Sequence, residues 1–338
     1  MTTALVLGKF LPPHAGHAYL AERARELADE VVVLLLANPA EPIPVGLRHR
    51  WLEEMLPWAT VRSGTADHPV DYEDPAVYDL WAATIREVTG RDSFDLLLTS
   101  EPAYGDMTAE RIGARHVLVD PARSAVPVSA SMVRADPYAC WAHLSPAVRA
   151  HYARRVCVVG AECTGKTTLA GALAARYGTV WVPEYGREYS VPKDARGEAW
   201  STGEFVHIAR RQQELEDLAA REANRLLFCD TDAMSTGIWH ELYLGSRAPE
   251  VEAIGRARRY DLTLLAGAEI PWVQDGDRNS DAARQWMQRR FEEELAGRPE
   301  PVVEVRGPLG VRLAAAVDAI ETHLGLRPPG PAEQTSRG

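Results

Sequence analysis

Two stretches of the chain alternate short apolar runs with segments of helical period. In the first, residues 3–7, 31–37, 59–62, 94–98 and 116–119 read as strands, separated by amphipathic helices near 15–28, 46–56 and 75–88. The alternation restarts at 155–159, continues with a helix over 166–177 and adds strands at 179–182, 225–229, 262–265 and 302–305. A long polar helix is predicted over about 203–223. Strands that alternate with helices predict parallel sheets covered by helices, so the fold class is α/β with two parallel-sheet domains. Residues 135–154, rich in aromatics and proline, predict a packed connector. The expected domains are therefore 1–150 and 151–326, and the Pro-, Gly- and polar-rich tail 327–338 is expected to be disordered.

Composition narrows the class of partner. The 338 residues are 46% hydrophobic and 25% charged, with a formal net charge of −11 and no basic run. Broad attraction to nucleic acid or an anionic membrane is disfavoured, and small molecules are the expected partners. The longest apolar run, 31–37, has the length of a strand, and the N-terminus lacks the features of a signal peptide, so a cytoplasmic protein is expected. Cys140, Cys157, Cys163 and Cys229 are widely spaced, which indicates neither a disulfide framework nor a zinc site. Homo-oligomerisation is left open. Only three residues are lysine (Lys9, Lys166, Lys193) against 34 arginines. Each lysine invites a specific explanation, because an ammonium and a guanidinium are not interchangeable at a phosphate.

The string Gly160-Ala161-Glu162-Cys163-Thr164-Gly165-Lys166-Thr167 matches GxxxxGK[ST] directly after a predicted strand and opens a predicted helix. Its glycines let backbone N–H groups curl around phosphates at the helix N-terminus. Residues 160–168, with Thr168 at the end, are the expected ATP cradle; Lys166 is expected on the β- and γ-phosphates and Thr167 on Mg²⁺. The loop alone does not separate kinase from ATPase or GTPase. The next two strands run into Glu184-Tyr185-Gly186-Arg187 and Asp230-Thr231-Asp232, and strand ends beside a phosphate loop face the ligand crevice. Asp230 or Asp232 is expected to hold Mg²⁺, and Glu184 to meet the hydroxyl of a phosphate acceptor; capping is the competing role for each. Residues 269–279, which include Trp272, Asp275 and Arg278, read as a lid over the transferring phosphate.

Near the N-terminus, Gly8-Lys9-Phe10-Leu11-Pro12-Pro13-His14-Ala15-Gly16-His17 leads from the first strand into a helix. Two histidines three residues apart at a helix start can face one crevice and donate to phosphate oxygens. Metal ligation competes, but no third ligand of suitable spacing accompanies them.

That string resembles the GxFxPxHxGH signature of the nucleotidylyltransferase superfamily, and Val128-Ser129-Ala130-Ser131-Met132-Val133-Arg134 resembles its ISxTxxR segment, with Val for Ile and Ser for Thr. The resemblance implies a Rossmann-like domain that binds ATP through Gly8, Phe10, His14, His17, Arg48, Ser129, Ser131 and Arg134, with Lys9 among the catalytic residues. Such a domain ahead of a P-loop kinase domain carrying PEYGREY, DTD and PWVQDG resembles the NadR family, nicotinamide mononucleotide (NMN) adenylyltransferase fused to ribosylnicotinamide kinase. Thr99-Ser100-Glu101-Pro102 and Val119-Asp120-Pro121 extend that resemblance.

The family resemblance implies two reactions in series. ATP phosphorylates nicotinamide riboside to NMN, with Lys166, Glu184 and Asp230 catalytic and Tyr185, Arg187, Trp272, Asp275 and Arg278 around the riboside. A second ATP then adenylylates NMN to NAD with release of pyrophosphate, aligned by Lys9, His14, His17, Arg134 and Mg²⁺. Some members begin with a helix-turn-helix domain; this chain begins two residues before its first strand, so DNA binding of that kind is not expected. The alternatives are a kinase for another nucleoside, a transferase for another phosphorylated molecule, or an NAD-sensing regulatory binder.

Overall fold

The structure, a computed structural model, describes residues 1–68, 71, 73–270 and 280–330. It divides into two compact units, Met1–Val148 and Arg149–Gly338. No helix among the described residues is long and apolar enough to cross a membrane.

In the first unit β1 (Thr3–Gly8), α1 (Ala15–Arg25), β2 (Glu30–Ala37), α2 (Val45–Met55), β3 (Thr60–Thr65), α3 (Pro75–Thr89), β4 (Leu96–Thr99), α4 (Pro102–Arg111), β5 (Arg115–Leu118) and α5 (Ala130–Ala135) follow one another. The strands form one parallel sheet in the order β3-β2-β1-β4-β5. Side chains alternate across it, as the pleat demands. Ala4, Val6, Val33 and Leu35 pack with Leu20 and Leu52 on one face. Leu5, Val32, Leu34 and Leu97 pack with Ile85 and Ile112 on the other. Each such aliphatic side chain contributes about 1.5–3 kcal/mol by leaving water. Because β1 lies between β2 and β4, strand order reverses beside it, and the crevice above its carboxyl end is where an open α/β sheet takes its ligand.

The region 135–154 carries regular structure that its aromatic composition masks: a 3-10 turn at Trp141–His143 and helix α6 (Pro146–Tyr152), which spans the division between the units.

The second unit contains β6 (Arg154–Val159), α7 (Lys166–Tyr177), β7 (Trp181–Val182), α8 (Tyr185–Arg196), α9 (Thr202–Ala220), β8 (Leu226–Asp230), α10 (Ala233–Leu244), α11 (Pro249–Ala257), β9 (Leu262–Ala266), α12 (Asp281–Leu295), β10 (Val302–Val305) and α13 (Leu309–Leu324). Its sheet is parallel in the order β10-β9-β6-β8-β7, so the chain again reverses beside its first strand. Strands β8 and β9 are buried throughout, as expected for strands covered on both faces. Strand β7 is shorter than expected because Thr179 is drawn out of the ladder: its hydroxyl donates to the Leu226 carbonyl at 2.5 Å and accepts from the Asn224 N–H at 2.8 Å. Of the three lysines, Lys193 proves structural. Its buried ammonium donates to the Ala199 carbonyl and to Glu204 Oε1, both at 2.7 Å, and so ties the end of α8 to the start of α9. The described start of the tail turns back on α7, where Arg176 donates to the Pro329 carbonyl at 3.4 Å.

Candidate active sites

A cleft of about 660 Å³ opens at the carboxyl end of β1, lined among others by Lys9, Phe10, His14, His17, Ser131 and Arg134. His14 is the N-cap of α1, and its Nδ1 accepts the Gly16 N–H at 3.1 Å. His17 completes a reciprocal capping box, its Nδ1 accepting the His14 N–H at 3.3 Å. The two rings lie 3.8 Å apart, and the edge of Phe10 abuts His17 at 4.8 Å. Burial, with Arg123 and His143 adding to it, lowers the His14 pKa to about 4. Burial, then His14 and Arg123, hold His17 well below its ordinary value. Both imidazoles are therefore neutral near pH 7. With each Nδ1 accepting, the proton sits on Nε2, and each ring is a neutral donor of fixed tautomer.

Positive charge comes from other residues. Lys9 Nζ lies 3.2 Å from Glu41 Oε1, and buried Arg48 reaches Glu41 Oε2 at 2.8 Å and the Lys9 carbonyl at 2.6 Å. Arg48 thus lies beneath the loop that carries Lys9. Arg134 donates to the Leu11 carbonyl at 2.7 Å, while Ser129 caps α5 and shares a 2.9 Å hydrogen bond with Ser131. Glu41 and Arg123, both in the cleft wall, were not singled out by sequence reasoning. The available signal was their place in the loops after β2 and β5, at the carboxyl edge of the sheet.

In the second unit a cleft of about 390 Å³ lies over the phosphate loop. Gly160 has φ +139°, and a Cβ there would come within 2.8 Å of the Ala266 carbonyl oxygen; Gly165 has φ +78°. Both positions therefore require glycine. Lys166 Nζ donates to the Ala161 carbonyl at 2.9 Å, Gln288 accepts the Ala161 N–H at 3.2 Å, and buried Arg312 grips the Thr164 carbonyl at 2.5 Å. The loop is thus braced from α12 and α13. Glu162, Cys163, Thr167 and Thr168 line the cleft beside Lys166.

Thr167 Oγ1 donates to Asp230 Oδ2 at 2.5 Å, while Asp230 Oδ1 is buried with no hydrogen-bond partner. An orphan carboxylate oxygen beside a hydroxyl and a phosphate cradle is the oxygen donor set that suits Mg²⁺. Burial raises the pKa of Asp230 against the pull of Lys166 and the Thr167 hydroxyl. Asp232 does not join it. Its Oδ1 caps α10 through the Ser235 N–H at 2.8 Å and hydroxyl at 2.6 Å, and its Oδ2 accepts from Arg298 at 3.0 Å, so both its oxygens are taken up by capping and ion pairing, the competing role.

Glu184 faces the cleft. Burial raises its pKa, opposed by Lys166 and Arg187 and by a hydrogen bond from Trp239. Arg187 also lines the cleft, but Tyr185 does not: its N–H is held by Gln212 at 2.9 Å and its hydroxyl meets His207 at 3.2 Å. The same cleft carries an aromatic wall. Tyr243 stacks on Trp200 at 5.5 Å and on Trp239 at 5.8 Å, with Phe205 beside Trp200 at 4.9 Å. Sequence reasoning missed this wall and named Trp272 as an aromatic beside the riboside. Trp272, Asp275 and Arg278 lie outside the described residues.

Residues 5–136 match the family model described as cytidylyltransferase-like, and residues 155–312 match the one described as AAA domain. The trifunctional NAD biosynthesis/regulator protein NadR of Escherichia coli (strain K12) is 30% identical over 295 residues, covering 82% of this chain and 72% of that protein. Its counterpart from Salmonella typhimurium (strain LT2) is 30% identical over 292 residues, 81% of this chain and 71% of that one. A crystal structure of NadR protein in complex with NR superposes with a TM-score of 0.79 over 98% of both chains, at 22% identity. One in complex with NAD and AMP-PNP superposes at 0.76, also at 22% identity, and these two show the fold. With the histidine loop and the phosphate loop each at the switch point of its own sheet, and with relatives of this identity and coverage, the chain belongs to the NadR family.

Proposed function

We propose that the chain is a bifunctional NAD biosynthesis enzyme, in which residues 151–326 phosphorylate nicotinamide riboside to NMN and residues 1–150 adenylylate NMN to NAD. The observation that carries this reading is a difference in carboxylates between two phosphate-binding clefts. In the N-terminal cleft each acidic residue that lines the wall among the described residues has a partner in the structure: Glu41 in ion pairs with Lys9 and Arg48, Glu101 in an open pair with Arg123, and Asp71 and Asp120 on backbone N–H groups. A nucleotide 5′-phosphate is already an anion at pH 7 and needs no base. The C-terminal cleft offers Glu184, a carboxylate whose raised pKa suits it to take a proton from a hydroxyl.

In the kinase cleft the phosphate loop cradles ATP, and Lys166 turns from the Ala161 carbonyl to the phosphates. The riboside 5′-oxygen bonds to the γ-phosphorus as the bond to the β-bridging oxygen breaks. ADP leaves and the hydroxyl proton passes to Glu184. Thr167 Oγ1 and Asp230 would hold Mg²⁺, which would supply neutralisation of phosphoryl charge there. The flat face of Trp200, Tyr243 and Trp239 suits an aromatic base.

In the transferase cleft an NMN phosphate oxygen bonds to the α-phosphorus of ATP and pyrophosphate leaves. His14 and His17 donate neutral Nε2–H hydrogen bonds, while Lys9 and Arg134 carry charge. The partners on this reading are ATP, nicotinamide riboside, NMN and NAD, in the cytoplasm. The acceptor is tested by assaying phosphorylation of nicotinamide riboside beside uridine, cytidine and thymidine. Preference for the riboside supports the reading, and preference for a pyrimidine nucleoside overturns the ribosylnicotinamide assignment while leaving the P-loop kinase reading intact.

A further inference from the structure

We propose that Arg123 is the guanidinium that takes up the pyrophosphate end of ATP in the N-terminal cleft, an inference that rests on the adenylyl-transfer reading of that cleft. A bound triphosphate brings several negative charges, and two neutral imidazoles supply hydrogen bonds to it without charge. Three cations line this wall: Lys9, Arg123 and Arg134. They differ in how firmly they are already held. Lys9, itself 55% exposed, pairs with Glu41, which is 10% exposed and held from its other oxygen by Arg48 at 2.8 Å, and Arg134 is fixed on the Leu11 carbonyl at 2.7 Å. Arg123 pairs with Glu101 across 3.2 Å, with the two side chains 39% and 54% exposed. An ion pair this open to water contributes little, so its guanidinium is the one most cheaply redirected to an arriving anion.

The backbone presents Arg123 in an uncommon way. Its φ of +51° and the +45° of Asp120 lie in the left-handed region that non-glycine residues seldom occupy. The turn is locked by the Asp120 carboxylate, which accepts from the Ser124 N–H and hydroxyl, both at 2.8 Å, and from the Ala125 N–H at 3.0 Å. The Arg123 N–H closes it on the Asp120 carbonyl at 2.8 Å. Strain kept in this way concentrates at ligand-holding sites. The Arg123 charge also reaches both His14 and His17, lowering the pKa of each, so all three side chains address one region of the cleft. A planar fork can meet two phosphate oxygens at once, which an ammonium cannot.

The test uses the full chain with Arg123→Ala and Arg123→Lys, measuring KM for ATP, KM for NMN, the product-inhibition constant of pyrophosphate and the unfolding temperature. NMN-dependent pyrophosphate release by the unaltered chain is measured first; its absence overturns the adenylyl-transfer reading itself. Given that activity, Arg123→Ala should raise KM for ATP and the pyrophosphate constant about tenfold or more while KM for NMN moves less than about twofold. Arg123→Lys, which keeps the charge without the fork, should recover part of the loss at an unchanged unfolding temperature. The inference is overturned if the ATP and pyrophosphate constants stay unchanged, if KM for NMN alone rises, or if both variants lose activity only in step with unfolding temperature. Should the alanine variant not fold, Arg123→Lys decides alone: unaltered ATP and pyrophosphate constants overturn the inference, and raised ones with an unchanged KM for NMN uphold it.

Discussion

Acidification should weaken the N-terminal unit through its paired histidines, by an amount that follows from the burial of His14. In the unfolded chain this imidazole takes a proton near its ordinary value of 6.5, whereas in the fold it does so only near 4. Between those values the unfolded state binds the extra proton, so stability is complete above about pH 6.5 and falls as the pH drops toward 4. From pH 7 to pH 5 the loss from His14 alone is about 2 kcal/mol. His17 is shifted in the same direction, and rings 3.8 Å apart titrate as a pair, so the observed loss should be at least this large. His14→Asn is the control, since asparagine can still cap α1 but has no charge to gain. Pulsed hydrogen exchange of the β1 and β2 peptides across a urea series, at pH 7 and pH 5, reads the unit directly. The unaltered chain should lose about 2 kcal/mol more than His14→Asn on going to pH 5. Equal losses in the two proteins would refute the account of the neutral histidine pair.

In the C-terminal unit, Glu184→Gln should slow phosphorylation by about 10² to 10⁴ with ATP binding retained, as loss of a general base does; an unchanged rate in a burst assay would contradict its role. The two aspartates of the DTD string should separate cleanly. Asp230→Asn should raise the Mg²⁺ concentration needed for half-maximal kinase rate, whereas Asp232→Asn should cost about 1–3 kcal/mol of stability and leave the Mg²⁺ curve in place. A shifted Mg²⁺ curve in the Asp232 variant would favour the metal role for it over the capping role.

What was legible in the sequence was whatever backbone geometry demands of particular residues. Gly160 and Gly165 are required by positive φ and a close carbonyl, and the apolar runs of β1, β2, β8 and β9 are required by burial on both faces. Helices α4 and α13 escaped notice because their ends and periods are set by the sheets they cover, and α8, α10 and α11 because theirs are set by the helices they pack on, more than by local propensity. α8 even carries Pro192 within it, a residue that locally argues for a break. Between metal and cap at Asp232 the sequence left both roles open, because acidic residues two apart at a strand end resemble a metal pair. The Ser235 that marks it as an N-cap stood three residues on. The aromatic wall was invisible for a tertiary reason: Trp200 precedes α9 while Trp239 and Tyr243 lie on α10, and only the packing of α9 against α10 brings them together.

The central claim is that one chain holds two distinct phosphate-transfer sites that act in series. It is tested most directly by supplying nicotinamide riboside and ATP to three proteins and following NMN, NAD and pyrophosphate over time. The unaltered chain should form NMN and then NAD. Lys166→Ala should form neither from the riboside yet still make NAD when given NMN. His17→Ala should accumulate NMN and make NAD more slowly, by the equivalent of about 2–4 kcal/mol for one lost transition-state donor. If either substitution abolished both steps in a folded protein, or if His17→Ala made NAD at the normal rate, two independent sites with these residues would be contradicted.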